Sequence, residues 1–143
     1  MARKQKNTIE YFPHTVIHGK KMAYIRSKYK NNGYAVWFML LEQLGKSDYH
    51  HIDLSDDVSK MYLSSEFMIS EKLLFEIIND LVKLGDFDKE IWETHSVLYN
   101  QKFVDNIEDV YTKRSNSCVT RDSLLRLLRE KGDLLCDKGD GNG

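Results

Sequence analysis

Between Gly19 and Tyr29 the apolar residues Met22, Ile25 and Tyr29 recur at helical spacing, with Lys20, Lys21, Arg26 and Lys28 on the other side. That pattern predicts a short amphipathic helix. Asn31-Asn32-Gly33 is a breaker triplet and predicts its end. From Tyr34 to Leu44 the chain is apolar nearly all round, through Val36, Trp37, Phe38, Met39, Leu40 and Leu41. Such a helix is buried on most sides, with Tyr34, Trp37 and Phe38 in the core and Gly45 as its C-terminal stop. His51 to Leu54 reads as a short extended piece. Ser55-Asp56-Asp57 caps a helix carrying Val58, Met61 and Tyr62. Ser70 caps the next, Glu71 to Leu84, in which Leu73, Leu74, Ile77, Ile78, Leu81 and Leu84 share one face and Gly85 ends the run. Phe87 to Ile91 and Val97 to Tyr99 predict two short strands joined by a turn near Glu93-Thr94-His95-Ser96. Phe103, Val104, Ile107 and Val110 mark a further helical face, and Ser123 to Lys131 one more short helix.

This order is helix, helix, short strand, helix, helix, hairpin, helix. A helical trio followed by a two-stranded hairpin is the layout of a winged helix, a relative of the helix-turn-helix. The fold expected is therefore mainly α, with a short β-hairpin wing and a C-terminal helical extension. Residues 1–8 read as a flexible basic arm, 9–112 as the winged-helix domain, and 113–143 as a basic helical extension with a disordered tail. The helix Glu71 to Leu84 would be the third of the trio, the one that enters a groove.

Charge changes the picture only when it is divided along the chain. The net charge of the 143 residues is −1. Residues 1–30 hold eight bases and one acid, Glu10, whereas residues 31–112 hold six bases and sixteen acids. Residues 113–131 are basic again, with six bases against two acids. A basic start, an acidic centre and a basic flank suggest either a polyanionic partner or a solvated charged surface.

No apolar run reaches the length of a membrane span, and no apolar stretch follows the basic Met1 to Lys6 as in a signal peptide. Cys118 and Cys136 sit in the polar C-terminal part and read as free thiols. A cytoplasmic protein is expected. His14, His18, His50 and His51 lack zinc-finger spacing, and the cysteines lie far off in sequence, so neither metal nor cofactor is expected. The chain has no nucleophile elbow, no H-E-x-x-H, no P-loop and no dinucleotide fingerprint, which leaves catalysis without support.

The chain resembles a prophage and mobile-element family of N-terminal domains, the Lin type named from Listeria prophage proteins. The residues that carry the resemblance are Tyr11-Phe12-Pro13-His14, Gly19-Lys20 with Met22, and the block Gly33 to Glu42. It continues through His51-Ile52-Asp53, Leu81 to Asp88 and Phe103 to Ile107. Relatives of that family include the N-terminal domains of phage replisome organisers and of DnaD-like primosomal proteins. The resemblance implies a winged helix at the front of a replication-initiation protein, with no catalytic site. The family often has Gly where this chain has Lys30, and Asp where it has Thr15.

DNA is thus the expected partner, bound weakly, with replication proteins and a second copy of the chain as further partners. Lys72 and Lys83 could meet phosphates and Asn79 could read an adenine edge. The third helix nevertheless nets −1, and the expected wing sets Asp86, Asp88, Glu90 and Glu93 against Lys89 alone. Phosphate contacts are therefore expected mainly from the flanks: Arg3, Lys4, Lys6, Lys20 and Lys21 at the front, and Lys113, Arg114, Arg121, Arg126 and Arg129 at the back. The rival reading is an interaction or oligomerisation module of a replication complex with no DNA contact, using Leu124, Leu125, Leu127 and Leu128.

Overall fold

Polar side chains fix most helix starts. In the computed structural model, which describes residues 7–140 and side chains as far as 132, Asp56, Ser70, Asp88 and Asn100 each accept a hydrogen bond from the backbone N–H three residues on. They open α2 (Asp57–Glu66), α3 (Glu71–Lys83), α4 (Lys89–His95) and α5 (Gln101–Thr112). Each such cap satisfies a backbone donor that the helix itself leaves open. The last helix, α6 (Arg121–Asp140), starts where Thr120 and Ser123 exchange hydrogen bonds between backbone N–H and side-chain hydroxyl.

The first helix, α1, runs from Lys20 to Lys46 and is kinked at Lys30 (φ 58°, ψ −140°). The expected break at Asn31-Asn32-Gly33 is therefore a kink one residue earlier, and Gly33 lies inside the helix. Its place there is steric: a Cβ on Gly33 would sit 2.8 Å from both the Ile25 Cγ2 and the Ile25 carbonyl oxygen. Gly45 does not stop the helix either. It is buried in the last turn, where its carbonyl accepts from the Ile9 N–H at 2.9 Å and Ile9 packs closely over it.

Leu74, Ile77, Ile78 and Leu81 of α3 are at most 1% exposed and pack with Ile25, Val36, Leu40 and Leu44 of α1. This is the main core. Trp37 departs from expectation: it is half-buried, edge-on to Phe87 with ring centres 5.9 Å apart. In α2 the buried residues are Leu63 and Ser64, and Val58, Met61 and Tyr62 face solvent.

The expected hairpin wing is not formed. Val97–Leu98 is a strand, β2, but it pairs antiparallel with β1 (Ile52–Asp53), Ile52 opposite Leu98 and Asp53 opposite Val97. The other expected strand, Phe87 to Ile91, is the loop before α4 and its first turns. The reason is local: Asp88 caps the helix, and Ser96 ends it in a left-handed conformation (φ 54°). Helix and strand are hard to separate in so short an apolar run, and here the cap decides.

A second, smaller core holds Ile91, Val97, Tyr99, Val104, Val119, Leu124 and Leu128. Thus α6 folds back on its own domain, tied by Arg121 to Asp88 (2.7 Å) and by Lys131 to Asp53 (2.6 Å). The short helix expected over Ser123 to Lys131 is thus present and longer at both ends, as Arg121–Asp140. At the other end, Asn7 and Thr8 of the expected arm are held by Asn116 and Arg114. The arm's Arg3, Lys4 and Lys6, the Cys136 side chain and the glycine-rich end past 140 lie outside the described residues.

Candidate nucleic-acid interface

The outward face of α3 carries Lys72, Glu76, Asn79 and Lys83, all exposed. It is outward because the apolar residues at helical spacing commit the opposite face to the core. Lys72 and Lys83 stand on the first and last turns, roughly 16 Å apart along the axis at 1.5 Å per residue.

Asp80 sits between the two faces and turns towards α1. Its carboxylate accepts from the Lys28 ammonium at 2.8 Å and the Tyr29 hydroxyl at 2.6 Å. Burial pushes the carboxyl pKa up, but the bonds from Lys28 and Tyr29 outweigh it and the net shift is downward. The negative charge counted against this helix is thus consumed inside the fold. Lys28 stays half-exposed at 47%, but its ammonium is what neutralises Asp80, so the two together add no net charge to the edge of the α1–α3 pair.

The start of α1 lies beside the end of α3. The Lys21 ammonium is 3.8 Å from Asp86 and 3.7 Å from where a Gly85 Cβ would be. Lys21 and Lys28 therefore lie against the C-terminal half of α3 and the residues just after it, while Lys72 is on the first turn of α3. Lys113 is exposed and caps the C-terminus of α5. Arg114 is half-buried: its guanidinium lies 4.9 Å over the Tyr111 ring and donates to the Thr8 carbonyl at 2.8 Å. Its evident task is to hold the N-terminal segment.

The acids after α3 are also compensated from within. Arg121 reaches Asp88 at 2.7 Å and Glu90 at 3.0 Å, Lys21 approaches Asp86, and Lys89 lies 3.9 Å from Glu93. The Asp88 carboxyl, pushed up by burial, is brought below its ordinary range by Arg121. Asp86 is different: burial raises it, and Lys21 offsets only part of that.

Sequence reasoning missed a cluster of rings. His14 lies flat on Phe38, ring centres 3.9 Å apart and planes within 4°. Tyr34 follows Phe38 at 4.9 Å, His18 stands edge-on to Tyr34 at 5.7 Å, and the Arg26 guanidinium lies 4.9 Å over the Tyr34 ring. The signal was present as two i, i+4 pairs, His14/His18 and Tyr34/Phe38, but the first was weighed only as metal ligands and the second only as core. Beside the cluster is a groove of about 880 Å³, floored by Trp37, Leu41 and Phe103 and edged by Asp86 and Lys102. Among the described residues no three His, Cys, Asp or Glu side chains converge as metal ligands, and no helix is long and apolar enough to cross a membrane.

These features define a mainly helical domain with one two-stranded antiparallel sheet and a mixed basic and aromatic surface on its first helix. A family model described as Lin1244/Lin1753-like, N-terminal, matches residues 11–103, and the chain belongs to that family. No curated protein and no solved structure matches it.

Proposed function

We propose that this is a non-catalytic DNA-binding domain of the replication-initiation type found in phages and mobile elements, and that it binds DNA weakly through its basic flanks. The fold is taken as a winged helix in which α4 replaces one strand of the wing. What supports this is the order α1, β1, α2, α3, β2, with a strand after the first helix pairing with a strand after the third. The kinship to replisome organisers and DnaD-like domains belongs to the same proposal.

The observation that carries the reading is the inward turn of Asp80. With that carboxylate bound to Lys28 and Tyr29, the outward face of α3 presents Lys72, Asn79 and Lys83 against Glu71 and Glu76. Binding rests on neutralised phosphates and falls with salt. The test is fluorescence anisotropy of labelled duplex DNA across a salt series. A log–log slope near zero, or no binding at low salt, removes the proposal.

A second reading has its own observation. Val58, Met61 and Tyr62 are 73%, 61% and 63% exposed on one face of α2, and Met68 just after it is 91% exposed. Those residues, not Leu124 and Leu128, which are buried, favour an interaction module with no DNA contact. Concentration-dependent sedimentation without DNA binding selects it.

A further inference from the structure

The rings on α1 and the segment before it lie at the edge of the main core, on which Phe38 packs. His14 and Arg26 are exposed and Tyr34 and Phe38 half-buried; His14 lies flat on Phe38, Tyr34 is tilted 52° to Phe38, and Arg26 lies over Tyr34. We propose that the ladder His14–Phe38–Tyr34, closed by Arg26, is a stacking platform for the bases of single-stranded DNA. This rests on the DNA-binding reading above and names the form of DNA and the residues that take it.

Flat rings at a protein surface bind flat rings. Stacking on a side chain is tolerant of base identity, because every base has a π-face, and is worth about a tenfold gain in affinity or more per base. His14 lies parallel to Phe38 at 3.9 Å and covers that face of it, so the outer face of the exposed His14 ring is the one on which a base stacks. Arg26 over Tyr34 supplies a planar cation at the other end. The phosphates of the same strand need positive charge alongside. Lys20, at the start of α1, and Lys30, at its kink, are exposed within a thirty-residue segment holding eight bases and one acid. The acids at the His14 end are Glu10 and Glu42, which line a pocket together with His14, Phe38 and Lys46, so the strand's phosphates run towards the Arg26 end. A duplex keeps its base faces inside the stack and cannot use the ladder, which is why the single strand is the ligand.

The test compares three labelled probes by anisotropy at low salt: oligo-dT of about 15 nucleotides, within the site sizes of small single-strand binders, an abasic sugar-phosphate oligomer of equal length, and a duplex. The expected result is that oligo-dT binds about tenfold or more tighter than the abasic oligomer. His14→Ala or Arg26→Ala should narrow that difference, and Tyr34→Leu should narrow it most while keeping an apolar side chain in place. His14 and Arg26 are exposed, so their variants remain informative if Tyr34→Leu fails to fold. Equal affinity for oligo-dT and the abasic oligomer overturns the platform. So does a difference that survives in the His14 and Arg26 variants. In both cases salt-sensitive duplex binding leaves the broader DNA reading standing. Absence of binding to all three probes overturns both.

Discussion

The Tyr29 hydroxyl donates to the Asp80 carboxylate at 2.6 Å, joining the first half of α1 to α3 across 51 residues of sequence. The Lys28 ammonium binds the same oxygen at 2.8 Å. Tyr29→Phe should cost about 1 kcal/mol, the usual net worth of one hydrogen bond. Asp80→Ala should cost more, about 1–3 kcal/mol, because it leaves the Tyr29 hydroxyl and a half-buried site without their acceptor. The Asp80 pKa is lowered on folding, so this stabilisation is present above its unfolded value of 3.8 and is lost as pH falls below it. Urea unfolding of both variants at neutral and acid pH checks this: the Asp80→Ala deficit should shrink in acid. A deficit unchanged by pH would mean that the carboxylate's charge plays no part.

Lys30 holds a backbone conformation suited to glycine, φ 58° and ψ −140°. A non-glycine residue so placed costs about 1–3 kcal/mol. Lys30→Gly should therefore raise the melting temperature, even after the entropy that glycine loses on folding. Lys30→Val should lower it, since a β-branched residue suits positive φ least. Gly33, three residues on, predicts the opposite sign: Gly33→Ala forces a methyl group to within 2.8 Å of Ile25 and should destabilise by about 1–3 kcal/mol. Thermal melts of the three variants suffice. A stabilised Gly33→Ala would mean that α1 relaxes freely around its kink.

His50 is buried, with Nδ1–H donating to the Leu44 carbonyl at 2.9 Å and Nε2 accepting from the Tyr111 hydroxyl. Burial lowers its pKa below the ordinary 6.5, and the bond to Leu44 offsets only part of this. The half-buried His51 is lowered for the same chief reason. Below pH 6.5 the unfolded chain thus binds protons that the folded one refuses, and stability falls as pH drops through that value. The slope is at most about 1.4 kcal/mol per pH unit for each histidine. His50→Asn keeps a donor near Leu44 and should remove the His50 share, leaving that of His51. Unfolding free energies measured from about pH 8 down to pH 5 test it. A variant slope equal to that of the parent would rule out His50 as a source.

The elements legible in the sequence are those whose signals are local. For α3, a Ser70 cap, residues Leu74 to Leu81 at helical spacing and a glycine with φ +85° all agree, and its bounds fall within a residue of expectation. For α4, the Asp88 cap was equally local but was outweighed by the apolar look of Phe87 to Ile91. The pairing of Ile52 with Leu98 was not legible, because spacing along a chain says nothing about which distant strand a two-residue strand will find. The site fared likewise. Lys72, Asn79 and Lys83 could be placed on an outward face from periodicity alone. That Asp80 faces inward could not, because its partners are more than fifty residues away. Lys30 was flagged only as a departure from the glycine of the resembling family, and the kink supplies the physical reason.

The final prediction concerns which cations meet phosphate. Residues 1–30 hold eight bases and one acid, and Lys20 is exposed whereas Lys28 is paired with Asp80. Changing Lys4, Lys6, Lys20 and Lys21 together to alanine should flatten the dependence of log affinity on log salt by up to about three to four units, at 0.9 per phosphate contact. Lys21 also lies 3.8 Å from Asp86, so part of its charge is already engaged and its share should be the smallest of the four. Changing Lys72 and Lys83 should flatten the slope by no more than about two units. Asn79→Ala should leave affinity for unrelated duplex sequences unchanged, because a base-edge contact adds nothing to sequence-independent binding. The reverse pattern, in which Asn79→Ala abolishes binding to one preferred sequence while the four-lysine variant binds normally, would make α3 a recognition helix and reduce the flanks to solvated surface.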